Sequence, residues 1–421
     1  MRKIGNKIIA VLLCGGLVCN MTGCAGKEIS LAGATEKKDI SFSWWGTDDR
    51  HDYTMAAIEK FEEKHPDIDV HMQYTEWSGY DKKSAIQMAA GTEADVMQVN
   101  FGWLDKFSPD GKRYLDLESV KDTLKLDSYD ETQLGYGRSG GVLNALPIAL
   151  NSKICIYNQD LYESFGLKLP ETWDDLFAAA DVMKAQGIFP LDLDQSCAFM
   201  FSVAYVEQKT GKPFITDNHM NFAKEDVQEM LRFYMELVDR GVTAYIADHD
   251  DGNYAKGVSA GIAQWITSVG DTEAALQDEK GQKTVVGKNP LMPGAARTGW
   301  YLKPATMYTI SSNTKNPKEA ALLLDFLVNS EEMAELQGLE KGVPVSKKAR
   351  DAIKEKGMLD GIQVEGEQMM LEQNEELMSP YYEDKPLQEA FVSATSAIRF
   401  DGVSLDAAAQ TAYDAMKADL G

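Results

Sequence analysis

The sequence predicts an α/β protein of two domains, and three observations carry that prediction. Near its start, hydrophobic periods of two and of 3.6 residues alternate as strand, helix, strand, helix, strand, the unit of a parallel sheet. Its 421 residues, 44% hydrophobic and 9% aromatic, are enough to bury a full core and long enough to favour two domains over one. No internal repeat or low-complexity stretch points to a solenoid or a disordered chain.

In order, Ile40, Phe42 and Trp44 alternate with Ser41, Ser43 and Trp45 as a first strand that Gly46 ends. Met55, Ile58 and Phe61 then fall at helical spacing over Tyr53 to Lys64, stopped by His65-Pro66. Ile68, Val70, Met72 and Tyr74 alternate as a second strand, a helix runs from about Tyr80 to Ala90, and Gly91 leads into a third strand, Ala94 to Asn100. In open α/β sheets ligands lie beyond the carboxyl ends of the strands, where this pattern brings Trp44-Trp45, Glu76-Trp77 and Asn100 with Trp103. From Leu146 a strand-like run continues to Asn158. Thr172 then caps a helix, with Asp175 placed close to a capping box. Strands and helices continue through Ile188 to Leu193, Val227 to Val238 and Ala260 to Ile266. Late in the chain Met307 to Ser311 reads as a strand. Pro317 to Val328 reads as a helix capped by Asn316, and a further helix opens at Asn329-Ser330 with Glu331 and Glu332 in its first turn. Gly342-Val343-Pro344 breaks that helix, and the remainder is mainly helical.

The first 23 residues have the parts of an export signal: Arg2, Lys3 and Lys7, then an apolar stretch from Ile8 to Val18. That stretch falls short of the roughly 20 residues a bilayer needs. Met21-Thr22-Gly23-Cys24 is a small-residue cleavage box ending in cysteine, so Cys24 is the expected lipidation site and residues 24–38 a flexible tether. Cys14 and Cys19 leave with the leader. Cys155 and Cys197 either pair in an oxidising compartment or stay as buried thiols. With 42 basic and 66 acidic residues the net charge is −24, and no basic stripe offsets it, which argues against nucleic acid as a partner.

Enzyme chemistry finds little footing. Gly135-Tyr136-Gly137-Arg138-Ser139-Gly140-Gly141 contains both G-x-G-x-x-G and G-x-S-x-G, but the run after it, Val142 to Pro147, is extended and ends in proline, so a turn between strands is the better account. A glycoside hydrolase needs only two carboxylates, and Asp192 and Asp194 would share a strand face, yet such pairs arise by chance among so many acids. The five histidines show no metal spacing, and Asp248-His249-Asp250-Asp251 lacks the glycine and the terminal glutamate of a calcium loop. No cofactor and no metal are expected.

Trp44-Trp45-Gly46 with Arg50, Phe61 to Pro66, Ala94 to Gln98, Leu146-Pro147, Leu169 to Leu176, and Phe326 to Ser330 followed by Gly342-Val343-Pro344 together resemble the extracellular solute-binding proteins of sugar ABC importers, typified by maltodextrin-binding protein. The resemblance implies a two-lobe, type II periplasmic-binding-protein fold with a ligand cleft between the lobes. One lobe would be 39–148 plus 306–342 and the other 149–305 plus 343–421, with crossings near Pro147, Pro304 and Gly342. It implies a monomeric receptor outside the cytoplasm, lipid-anchored to the cell membrane, that closes on an oligosaccharide and hands it to permease subunits driven by a cytoplasmic ATPase. A narrower resemblance, to the oligogalacturonide-binding proteins of pectin-degrading bacteria, rests on Ser43 to Gly46, Trp77-Ser78-Gly79-Tyr80, Met97 to Asn100, Leu291-Met292-Pro293-Gly294, Lys303-Pro304-Ala305 and Gly338 to Ser346. At Lys153 those proteins carry arginine.

Sugars present apolar C–H faces and a rim of hydroxyls, so their sites join stacked rings to planar or charged hydrogen-bonding groups. Trp44, Trp45, Trp77, Trp265 and Trp300 can supply rings, and Glu76, Asn100 and Asp194 hydrogen bonds. Trp44 and Trp45 cannot face the same side of one strand. A uronate also needs a cation, for which Arg50, Lys153 and Lys303 are the candidates.

Overall fold

The computed structural model describes residues 37–373 and 376–420. The leader, the expected lipidation site Cys24 and nearly all of the expected tether lie outside the described residues.

The first strand, β1 (Lys38–Trp45), pairs in parallel with β2 (Ile68–Thr75) and with β3 (Val96–Val99). Helix α1 (Asp48–Lys64) starts five residues before the expected Tyr53. Its polar first turn hides the period, but Asp48 and Asp49 there suit the positive end of the helix dipole. Helix α2 (Tyr80–Ala90) follows β2 and lies between Gly79 and Gly91, both in the left-handed region. Helix α3 (Phe101–Phe107) begins at the end of β3, where the Asn100 side chain accepts a bond from the Gly102 N–H.

After helix α4 (Glu131–Gly135), the glycine-rich run makes the turn of a small hairpin, β4 (Arg138–Ser139) and β5 (Val142–Leu143), as the context of the motif required. Gly140 and Gly141, with φ of 55° and 82°, supply that turn. The long strand β6 (Ala145–Asn158) comes next. A second hairpin, β7 (Ile215–Thr216) and β8 (His219–Met220), precedes β9 (Gly261–Trp265), β10 (Thr284–Gly287) and β11 (Tyr301–Ile310), and β12 (Glu376–Leu377) is short. β11 starts six residues before the expected Met307, and its first residues include both Lys303 and Pro304.

The eight-stranded sheet runs β10-β6-β11-β3-β1-β2, with β12 on β11 and β9 on β6. β6 changes partners along its length: residues Ala145 to Ser152 pair with β11, and Lys153 to Asn158 pair with β9 and β10. Two large apolar clusters accompany these two halves. One gathers Phe42, Trp44, Ile58, Phe61, Tyr308 and Leu324; the other gathers Tyr157, Trp173, Phe199, Phe201, Tyr234 and Trp300. This is a mixed α/β fold of the two-lobe type.

Several local expectations are met in detail. Thr172 and Asp175 complete a reciprocal capping box, and Trp173 packs into the second cluster with its indole N–H on Gln208. Asn316 departs from expectation, because its side chain donates to the Asp39 carbonyl and leaves the helix that begins at Pro317 without a side-chain cap. Cys155 and Cys197 are both free and buried, and burial pushes the Cys155 thiol up to about 12.

Candidate functional site

Where β1, β2 and β3 end, the sequence places aromatic residues that their helices then hold together. Trp45, on the face of β1 opposite Trp44, has its ring 5.0 Å from Trp77, 5.1 Å from Tyr80 and 5.6 Å from Trp103. Trp77 and Trp103 lie parallel, 5.6 Å apart with 5° between their planes. Trp77 is 52% exposed and beside the exposed Glu76, so this cluster offers rings to solvent while Trp45 backs them. Stacked, half-open indoles of this kind present the flat apolar face that a pyranose ring requires.

A second group forms where β6 changes partners. Lys153, 3% exposed, pairs in register with Trp265, and Lys303, 5% exposed, lies on the adjacent strand β11. Their ammonium groups stand 4.7 and 4.6 Å from the centroid of the Trp265 ring. Asp194 caps the helix Gln195–Thr210 by accepting the Cys197 N–H at 2.6 Å and places its other oxygen 3.5 Å from the Lys153 ammonium. Lys303 is paired with Glu383, a half-buried residue for which the sequence offers no signal. Burial works against the charged forms of both Lys153 and Asp194. The Cys197 sulfur and the Asp194 carboxylate nevertheless carry Lys153 above its ordinary value, and Lys153 with the Cys197 N–H holds Asp194 below its own. Two buried ammonium groups, each with one carboxylate partner, thus flank one indole.

Not every expected residue joins the site. Trp44 is fully buried between Phe42 and Tyr74, with its N–H on His51, because strand alternation turns it under α1. Trp300 is 3% exposed, packed against Phe201 with its N–H on the Pro290 carbonyl. Both are core residues, a correction to their expected place in the cleft. Asn100 spends its side-chain oxygen on the cap of α3. Arg50 donates to the Glu340 carbonyl at 2.8 Å and belongs with the Gly338 to Ser346 segment instead of the lysine group.

That segment carries a residue sequence reasoning did not single out. Lys341, 2% exposed, donates to the Gln98 side-chain oxygen at 3.0 Å and to the Tyr308 hydroxyl at 2.8 Å, and among the described residues no carboxylate pairs with it. Burial, with the nearby Arg50, pushes its ammonium down to about 7. It anchors the segment to neighbouring positions of β3 and β11.

Comparison with known proteins gives the family. Residues 47–334 match the family model of the bacterial extracellular solute-binding proteins. The chain belongs to that family. It is therefore the solute-binding component of an ABC transporter, and its relatives are binding proteins. The chain is 32% identical to a periplasmic oligogalacturonide-binding protein of Yersinia enterocolitica solved with saturated digalacturonic acid, covering 91% of this chain and 99% of that one with a TM-score of 0.83. A de novo designed cysteine esterase has the same architecture, with 32% identity, a TM-score of 0.83 and coverage of 92% and 99%. The melibiose/raffinose/stachyose-binding protein of Bacillus subtilis (strain 168) is 27% identical over 178 residues, 42% of this chain and 40% of that protein. Among the described residues no helix is long and apolar enough to cross a membrane.

Proposed function

We propose that this solute-binding protein captures a uronate-bearing oligosaccharide, an oligogalacturonide, by closure of its two lobes, and delivers it to a permease driven by a cytoplasmic ATPase. The observation that carries this reading is the pair of buried ammonium groups, Lys153 and Lys303, held 4.7 and 4.6 Å from the Trp265 ring. A neutral sugar needs no such charge, whereas a carboxylate brought out of water does. The Yersinia protein, solved with a digalacturonate, supports the same ligand class. Lipid on Cys24 would hold the receptor at the outer face of the cell membrane, and a monomer suffices because the ligand is shared between lobes of one chain. The lobes are 39–148 plus 306–342 and 149–305 plus 343–421. Gly342, with φ of 97° and room for no side chain beside Ala149, and the irregular pairing around Pro304 and Thr306 support crossings at these points.

Asp194, held below its ordinary value, does not suit the raised carboxyl acid that glycoside hydrolysis needs.

Thermal unfolding of the folded body, residues 37–421, is the test, run with oligogalacturonides and with neutral malto-, xylo- and mannooligosaccharides. A ligand at one hundred times its Kd stabilises by about 2.7 kcal/mol, a rise in Tm of several degrees. A rise with galacturonides alone is expected. A rise with a neutral sugar alone would keep the receptor and discard the uronate.

A further inference from the structure

We propose that Glu383 is a specificity-determining residue: its carboxylate competes with that of the ligand for the Lys303 ammonium and must swing away before a uronate is held there. This rests on the uronate reading above and deepens it.

Each ammonium beside the Trp265 ring already has a carboxylate partner, Asp194 at 3.5 Å from Lys153 and Glu383 on Lys303. The four charges cancel. Because the two ammonium groups stand 4.7 and 4.6 Å from one ring centroid, a third carboxylate set against that ring meets two of its own sign as well as the cations. It gains from the cations only if one of those two gives way. The Glu383 charge also reaches the Lys153 ammonium, so its departure leaves both cations short of negative charge.

Of the two carboxylates, Asp194 is tied down. It accepts the Cys197 N–H at 2.6 Å and caps the helix Gln195–Thr210, so its release would strand a helix terminus. Glu383 has no such second bond. Among the described residues its side chain has one hydrogen-bond partner, Lys303, and that side chain is already 31% exposed. The backbone beneath it is fixed independently, because Tyr382 is buried against Phe199, Phe214 and Tyr301 while the Tyr382 and Asp384 N–H groups close turns on the Ser379 and Tyr381 carbonyls. Rotation about its own side-chain bonds therefore carries the carboxylate to water without unfolding the turn. A neutral sugar has no charge to offer Lys303 in exchange and leaves the pair closed, whereas a uronate replaces one carboxylate by another. Glu383 is thus the repulsive element of the site, which a ligand overcomes only with a carboxylate of its own.

The test is calorimetry of the wild type and of Glu383→Gln with digalacturonate and with its methyl ester, the same sugar without the charge. Glutamine keeps the size and an oxygen that can still accept from Lys303, and a thermal unfolding scan checks that the variant is folded. We expect the variant to bind digalacturonate about tenfold more tightly than the wild type and to gain less than twofold for the ester. An acid affinity that is unchanged or weakened would show that Glu383 merely holds Lys303 in place, and an equal gain for the ester would show general loosening; either overturns the proposal. A second measurement needs no variant: in a crystal structure of the wild type with digalacturonate, the Glu383 carboxylate is expected to have left the Lys303 ammonium, and an intact pair would overturn the exchange. Failure of the wild type to bind any galacturonide would instead overturn the uronate reading itself, and is read first.

Discussion

Lys303 and Lys341 are both buried lysines on or beside the same strand, yet their environments assign them opposite tasks. Lys303 has Glu383 and the Trp265 ring beside it, and in the proposed reading it shares its charge with an incoming carboxylate. Lys303→Met should cost uronate binding about 2–3 kcal/mol, a factor of about 30 to 150, and leave a neutral sugar within a few fold. Calorimetry with both ligand types decides it, and equal losses would defeat the cationic role. Lys341 has only neutral acceptors, Gln98 and Tyr308, and its ammonium is pushed down to about 7. Because its folded value lies below its unfolded one, the unfolded chain holds the extra proton between about pH 7 and 10.5, so this residue's contribution to stability rises with pH across that window and is level below it. Relative to Lys341→Met, the wild type should therefore lose ground on the order of 4 kcal/mol as pH falls from 10.5 to 7. Urea midpoints at pH 7, 8.5 and 10 measure the gap, and a constant gap would show that the lysine is not desolvated. Nothing in the sequence around Lys341 marks it, since its partners are brought to it from positions 98 and 308 by sheet register alone.

Among the elements, those legible in the sequence rest on local chemistry. The period-2 alternation of β1, the capping box at Thr172 and the glycine turn at 140–141 depend on neighbours within a few residues, and each is found in place. α1 and β11 start earlier than the pattern places them, because a polar first turn and a lysine-proline step carry no hydrophobic period. Two glycines separate backbone strain from close packing. Gly79 has φ of 87° and open space around an added Cβ, whereas Gly342 has φ of 97° and would place that Cβ 2.9 Å from Ala149 and 3.1 Å from Thr267. Gly79→Ala should cost about 1–2 kcal/mol from backbone alone. Gly342→Ala should cost visibly more and lower Tm by a further several degrees, since its neighbours belong to β6 and to the segment beyond β9. Equal Tm losses for the two variants would mean that the contact yields without cost.

At the scale of the whole molecule, segments distant in sequence come into close approach. An added Cβ at Gly102 would lie 2.8 Å from the Pro380 carbonyl, so the missing side chain lets α3 come against the segment that carries Glu383. In a receptor that works by closure, Gly102→Ala should weaken all sugars by the same factor, about tenfold for each 1.4 kcal/mol of misfit, and leave the ligand-bound particle less compact in small-angle scattering. A loss confined to one sugar would place Gly102 in recognition instead of closure. The α/β class and the family are written in the order of the amino acids, because strand and helix periods, caps and turns are local. Which tryptophans are open to solvent and which are buried emerges only on folding: Trp44 and Trp45 are adjacent and both buried, but strand alternation sends Trp44 under α1 and Trp45 to the opposite face, where it backs the exposed Trp77. Folding also brings Glu383 to Lys303 and Lys341 to Gln98, contacts between residues 80 and 243 positions apart that no local pattern encodes.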